Sequence, residues 1–361
     1  MPIPALFIAA LLGSLPSATD SAPHPFDYAT EQIAPNVWAF LEKRPNPMVS
    51  SNIVAVVGSK SVLVFDSGHH PSVTRAIIGD IKRLTDKPVR YLVISHWHDD
   101  HWIGNAEFVK AFPDIKIISH EFTAKTMETR KGKIGGTACK EEILAPAKPL
   151  REALASGKRS DGTTMSEASR ERITNFLEAI DAHVIECDAM DYRGIDSVTS
   201  KSMSIDLGGR RVNLKYLGRG NTAGDLVAYV PDAKTVVTGD LVVYPFPFAT
   251  QSYISEWAKV LRQLQRLDAT NVVPGHGAVM HDMHYVSDVA ETLESIAKQS
   301  REKYHAGMTA EELRAAVDLS AFSERFSHGD AFVRDNFVAQ MNLAVDRMWQ
   351  ELSGKWKPEG I

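Results

Sequence analysis

The chain has 361 residues, of which 44% are hydrophobic and 24% charged, and its formal net charge is -5. That length and composition bury one large core or two smaller ones. The acidic balance supplies no global electrostatic reason to bind nucleic acid or an anionic membrane, so neither is expected as a partner. At the N-terminus an apolar run from Ala5 to Leu12, followed by small residues and Pro16, has the layout of a cleavable secretory signal over residues 1–22, although no Lys or Arg precedes it. The run is too short to cross a bilayer as a helix. Export to the periplasm or beyond is the expectation, and a cytoplasmic protein with a frayed apolar start is the alternative. The two cysteines, Cys139 and Cys187, form no C-x-x-C pair and lie near no histidine cluster, which argues against a cysteine metal site.

Between Val37 and Asp66, short apolar and β-branched runs (VWAFLE, SNIVAVVG, SVLVFD) alternate with turn residues and predict a meander of strands. Val73, Ile77, Ile81 and Leu84 then recur at helical spacing, and Tyr91 to Ile94 forms an apolar strand that runs directly into His96-Trp97-His98-Asp99-Asp100-His101. After a strand at Ile115 to Ser119, residues 121–200 show helices and loops without a strand pattern; the clearest helix is Glu167 to Ile180, with Ile173, Phe176, Leu177 and Ile180 on one face. Strand signals return at Met203–Leu207, Val212–Leu217, Leu226–Val230 and Thr235–Val237, followed by a helix near Ser255–Leu267, a strand at Asn271–Val273 and helices from Tyr285 onward. Strands followed by a helix thus occur twice, which suggests two sheet-plus-helix halves packed face to face. The division expected is a main domain over 23–300 with the insertion at 121–200, and a helical extension over 301–361.

A pattern H-x-H-x-D-H arises by chance about once in a thousand chains with 13 histidines, so its structural reading is weak. On a loop, the i, i+2 spacing lets His96 and His98 point at one ion while Asp100 and His101 turn toward a second. Two further signals stand at strand ends, Thr238-Gly239-Asp240 and Pro274-Gly275-His276-Gly277. Each alone would be an ordinary turn; downstream of the histidine run they become ligand sites.

The ordered set SHWHDDH, GRGNTAGD, VVTGDL and VVPGHG resembles the successive metal-binding loops of the metallo-β-lactamase superfamily, over most of the chain from about Val37 to Glu291. The resemblance implies an α+β fold, a four-layer αβ/βα sandwich with a dinuclear zinc site at the edge where the sheets meet. It implies that His96 and His98 hold the first ion, that Asp100, His101 and His276 hold the second, and that Asp240 bridges. In that family a histidine usually stands where this chain has Asn221. An amide oxygen is a poor zinc ligand beside imidazole, which makes the first position the weaker one.

The activity expected is hydrolysis of an ester, thioester, lactone or amide of a small molecule by a metal-bound hydroxide, with Asp100 moving a proton and Tyr244 steadying the acyl oxygen. An aspartate at 240 resembles the thioesterases and lactonases of the superfamily, and Val243 stands where some β-lactamases carry a lysine. A β-lactamase is the first alternative and a mono-iron oxygenase the second. The Tyr244–Phe248 loop is expected to wall a pocket, Trp97 and Trp102 to pack the loops, His69 and His70 to sit in a solvated turn, and His120, His281, His284 and His305 to be surface or packing residues. The oligomeric state has no sequence signal.

Overall fold

A computed structural model of the chain describes residues 26–43, 50–145, 147–158 and 162–356. The expected leader at 1–22 lies outside these residues. Strands β1 (Tyr28–Ala34), β2 (Val37–Glu42), β3 (Ile53–Val57) and β4 (Val62–Phe65) form an antiparallel meander. Helix α1 (Pro71–Leu84) leads to β5 (Val89–Val93), and α2 (Asn105–Ala111) to β6 (Lys116–His120). These crossovers make β4, β5 and β6 parallel. Helices α3 (Glu121–Arg130), α4 (Gly136–Leu144), α5 (Ala147–Ser156) and α6 (Glu167–Glu186) build the insertion, and β7 (Ser197–Thr199) closes the sheet, whose seven strands lie side by side in chain order.

A second sheet of five strands follows. In it β8 (Met203–Asp206), β9 (Arg211–Tyr216), β10 (Leu226–Val230) and β11 (Thr235–Val237) are antiparallel neighbours, and after α7 (Ile254–Leu264) β12 (Asn271–Val273) joins β11 in parallel. Helices α8 (His284–His305), α9 (Ala310–Ala316), α10 (Ser320–Ser327) and α11 (Ala331–Leu352) complete the chain.

Side-chain alternation along the strands sorts the core into layers. Val54, Val56, Leu63, Phe65 and Val93 of the first sheet meet Val212, Leu214, Leu226, Ala228 and Val237 of the second in the space between them. The opposite face of the first sheet, through Ala55, Val64 and Leu92, packs on Ile77 and Ile81 of α1 and Phe108 of α2. The far face of the second, through Val227, Val236 and Val272, packs on Trp257 of α7 and Leu293 of α8. The result is the expected four-layer αβ/βα sandwich. β4 is buried at every position, as a strand covered on both faces must be, which is why it reads as the unbroken run VLVF.

Some elements lie beyond the sequence reading. β1 had no sequence reading because an edge strand none of whose residues is fully buried loses the apolar alternation. The insertion does end in a strand, but at three residues β7 is too short to show a period. A boundary at residue 300 would cut α8, and Phe337, Met341, Val345 and Met348 of α11 belong to the same apolar cluster as α7 and α8, so the C-terminal helices are part of the second half. Within the insertion, Cys139 of α4 is disulfide-bonded to Cys187 at the end of α6, and Leu177 and Ile180 of the expected face are buried against Ala147. Among the described residues no helix is long and apolar enough to cross a membrane.

Candidate metal centre

Parallel strands deliver their C-terminal ends to one edge of a sheet, and in this fold both sheets do so at the same place. Asp66 leaves β4, the run Ser95 to His101 leaves β5, Asp240 leaves β11 and His276 leaves β12. The Thr238-Gly239-Asp240 and Pro274-Gly275-His276 turns touch, since Gly275 N donates to Gly239 O at 2.9 Å. Glycine is required at both. Gly239 has φ +51° and any Cβ there would meet Ser95 at 2.5 Å; a Cβ on Gly275 would fall 2.0 Å from Asp240 Oδ1.

Asp240 presents one carboxylate oxygen to each of two groups. Its Oδ2 faces His96 Nε2 at 3.7 Å and His98 Nδ1 at 3.9 Å, and those two nitrogens are 2.7 Å apart. Its Oδ1 faces His101 Nε2 at 3.3 Å and His276 Nε2 at 3.4 Å. Asp100 Oδ2 completes the second group, 3.4 Å from His101 Nε2 and 3.1 Å from His276 Nε2. Nitrogens each about 2.0–2.1 Å from one tetrahedral zinc stand roughly 3.3 Å apart, so the second group has the spacing of a first coordination sphere. His101 Nε2 and Asp240 Oδ1 are buried without a hydrogen-bond partner. Buried polar atoms left in that state are costly, and a cation between them is the group that would satisfy both.

The charge balance agrees. Burial alone would raise the Asp100 and Asp240 carboxyls, but the imidazoles of His101 and His276 outweigh it and hold both well below the usual carboxylate range. Burial opposes charge on His276 too, yet the Asp240 and Asp100 carboxylates push it up to about 10. The carboxylates and imidazoles thus hold each other's charge in the absence of a metal, and a cation would take the place of the two imidazole protons between them.

The sequence pattern of one family covers residues 47–276, and it is described as the metallo-beta-lactamase superfamily. The chain belongs to this superfamily. Among curated proteins it is similar to a linear primary-alkylsulfatase from Pseudomonas sp. (strain ATCC 19151), 19% identical over 72% of this chain and 48% of the relative. It is also similar to an atrochrysone carboxyl ACP thioesterase from Passalora fulva, 24% identical over 24% of this chain and 26% of the relative. The chain therefore spans about half the length of the first relative and about a quarter of the second. A solved metallo-beta-lactamase from Pontibacter korlensis is 18% identical, with a TM-score of 0.47 over 73% of this chain and 99% of that one.

Within this superfamily member, residues that carry no motif hold the ligands in place. Asp66 Oδ2 accepts from His101 Nδ1 at 2.8 Å, while Asp66 Oδ1 accepts from Ser95 N at 2.7 Å. Ser95 Oγ lies 3.0 Å from His96 Nδ1, and Gln251 Oε1 lies 3.1 Å from His98 Nε2. Such partners orient an imidazole and set its tautomer. Asn52 fixes the His276 loop by donating from Nδ2 to Pro274 O and Gly277 O at 3.0 and 2.9 Å. Of these, Ser95 opens the SHWHDDH run and Asp66 ends SVLVFD, while Asn52 and Gln251 carry no sequence signal.

Asn221, the departure from the superfamily pattern, is fully buried, and neither its Oδ1 nor its Nδ2 has a hydrogen-bond partner. Its loop is rigid: Asp225 accepts from Thr222 N and Thr222 Oγ1 at 2.8 and 2.7 Å. The first group thus has three donors, from His96, His98 and Asp240, against four in the second. Chelator titration of zinc-loaded protein should show one tight and one weak equivalent, and Asn221→His should tighten the weak step by about ten- to a hundredfold. Two equally tight equivalents in the unmodified protein, or unchanged affinity in the variant, would place residue 221 outside the coordination sphere.

A cavity of about 210 Å³ opens at Asp100. The insertion supplies most of its wall, through Arg130, Lys133, Ile134, Ile143, His183 and Met190. Arg130 Nε donates to both oxygens of Asp99 at 3.2 and 3.1 Å and its Nη2 to Glu142 Oε1 at 3.1 Å, so α3 and α4 are tied to the metal loop itself. Tyr244 does not line this cavity. Its ring stands 5.3 Å from that of Tyr285, and its backbone N donates to His276 O at 3.1 Å. The Tyr244–Phe248 loop approaches the ligands farther on, through Gln251. Trp102 packs as expected, buried and donating to Trp97 O at 2.9 Å, and His120 caps α3. His70 is not in a solvated turn; it is fully buried against His183 of the insertion.

Proposed function

We propose that this chain is a zinc-dependent hydrolase that attacks the carbonyl of a small ester, thioester, lactone or amide. The observation that carries the reading is Asp240, which turns one oxygen to each of two ligand groups beside a cavity reached by Asp100. His96, His98 and Asp240 would hold one ion, and Asp100, His101, His276 and Asp240 the other. Zinc so held supplies Lewis acidity, drawing the pKa of water toward 7 and polarising an acyl oxygen. The rest falls to the protein. Asp66 and Ser95 keep His101 and His96 aimed, Asp100 is placed to take or deliver a proton at its carboxylate, and the insertion screens the acyl group from water. The thioesterase relative supports a thioester, and the alkylsulfatase relative adds sulfate esters to the substrates worth testing. The Cys139–Cys187 disulfide supports export, since such bonds persist in oxidising compartments.

Metal analysis combined with a panel of lactone, thioester, lactam, sulfate ester and phosphodiester substrates tests this. Zinc with turnover of an acyl substrate is expected. Iron with dioxygen uptake, or turnover confined to phosphodiesters, overturns it. If the insertion forms the substrate wall, Ile134→Trp should lower kcat/KM for bulky acyl groups about tenfold or more relative to the smallest ester, the scale of misfit in an apolar pocket. Unchanged relative kcat/KM values in a folded variant would remove the insertion from the substrate site.

A further inference from the structure

A second cluster of metal-ligating side chains lies outside the dinuclear centre. His69 and His70 end the loop between β4 and α1, and His183 comes from α6 of the insertion; one nitrogen from each ring lies within 4.8 Å of the other two. His70 Nε2 and His183 Nδ1 are 3.1 Å apart, and the His69 ring centroid is 4.8 Å from that of His70 and 4.5 Å from that of His183. His70 and His183 are buried, and His69 is half-buried. We propose that His69, His70 and His183 form a separate binding site for a divalent cation of the zinc type, which clamps the insertion to the catalytic half.

Three considerations carry this. Nitrogens that share one tetrahedral zinc stand about 3.3 Å apart, and the His70–His183 pair already has nearly that spacing. A purely imidazole donor set suits zinc and its late transition-metal neighbours over calcium or magnesium. The site is also braced from the same helix and has an opening. Glu186, one turn beyond His183, is buried with its Oε2 accepting from Ser72 N at 3.0 Å beside the same loop. His69 and His183 both line the cavity that Asp100 faces, so three protein ligands would leave a fourth position next to the substrate space. The site draws on both sides of the interface between insertion and sheet, whereas the Cys139–Cys187 bond joins only parts of the insertion. It does not depend on the hydrolase reading.

The test is metal stoichiometry. Stripped protein is dialysed against zinc without reductant, so that Cys139 and Cys187 stay joined and offer no thiolate near His183, and bound zinc is counted by mass spectrometry. Wild type should hold one equivalent more than His69→Gln. The same difference should persist in an Asp240→Asn background, where the dinuclear centre is weakened. His183→Gln should repeat the loss from the insertion side; because His183 is buried, its thermal melt accompanies the count, and His69→Gln decides the matter if that variant unfolds. Cobalt(II) replacing zinc should show visible absorption of a tetrahedral imidazole site that disappears in His69→Gln. Equal zinc in wild type and His69→Gln overturns the proposal and leaves the three rings as a hydrogen-bonded cluster.

Discussion

Replacing Asp100 by asparagine is expected to lower kcat by more than about a hundredfold on whichever substrate is turned over. Asp100 Oδ2 stands within 3.4 Å of both His101 Nε2 and His276 Nε2 and also faces the cavity, so the substitution removes a negative ligand and a proton carrier together. General acid–base steps alone contribute roughly 10²- to 10⁴-fold. Zinc content measured on the same preparation separates the two losses: a variant that keeps its metal but not its rate has lost the proton step, and one that loses metal has lost the ligand. Near-normal turnover with full zinc would show that the reaction uses neither role of Asp100.

Breaking the Cys139–Cys187 disulfide should be the largest single loss of stability. The bond closes a segment with a sequence separation of 48, and the loop-entropy relation gives about 4 kcal/mol for a ring of that size. A Cys139→Ser/Cys187→Ser variant, or wild type with reductant, should melt at a lower temperature. Limited proteolysis should begin in residues 121–200, because the insertion is the part whose local opening the bond restrains. Identical melting and cleavage with and without reductant would show that Arg130, held by Asp99 and Glu142, suffices to keep the insertion in place.

The parts of this molecule that were legible in the sequence are those in which one short stretch does the whole job. His96 to His101 carry four ligands within six residues, and Gly239 and Gly275 mark the two turns where the backbones of separate loops touch. The buried strands read well because β4 and β5 have helices or a second sheet on both faces. What could not be read depends on partners far along the chain. Nothing near His70 announces that His183, 113 residues later, buries it. Gln251 is an isolated amide whose role appears only once His98 is placed beside it. The cavity at Asp100 is walled largely by the insertion, whose position depends on Arg130 and the disulfide rather than on any local pattern.

The provenance of the ligands has a consequence for the order of events during folding. One group of donors leaves β5 of the first sheet, and Asp240 and His276 leave β11 and β12 of the second, so neither half of the chain owns a complete centre. For this centre, a nascent chain with only its first sheet formed has just the donors of the His96–His101 loop, so filling it would wait until the apolar layer between the sheets closes. Metal capture is then a late checkpoint of maturation rather than its seed. Chains that stall before the halves dock would lack the metal of this centre, whatever the His69–His183 cluster holds.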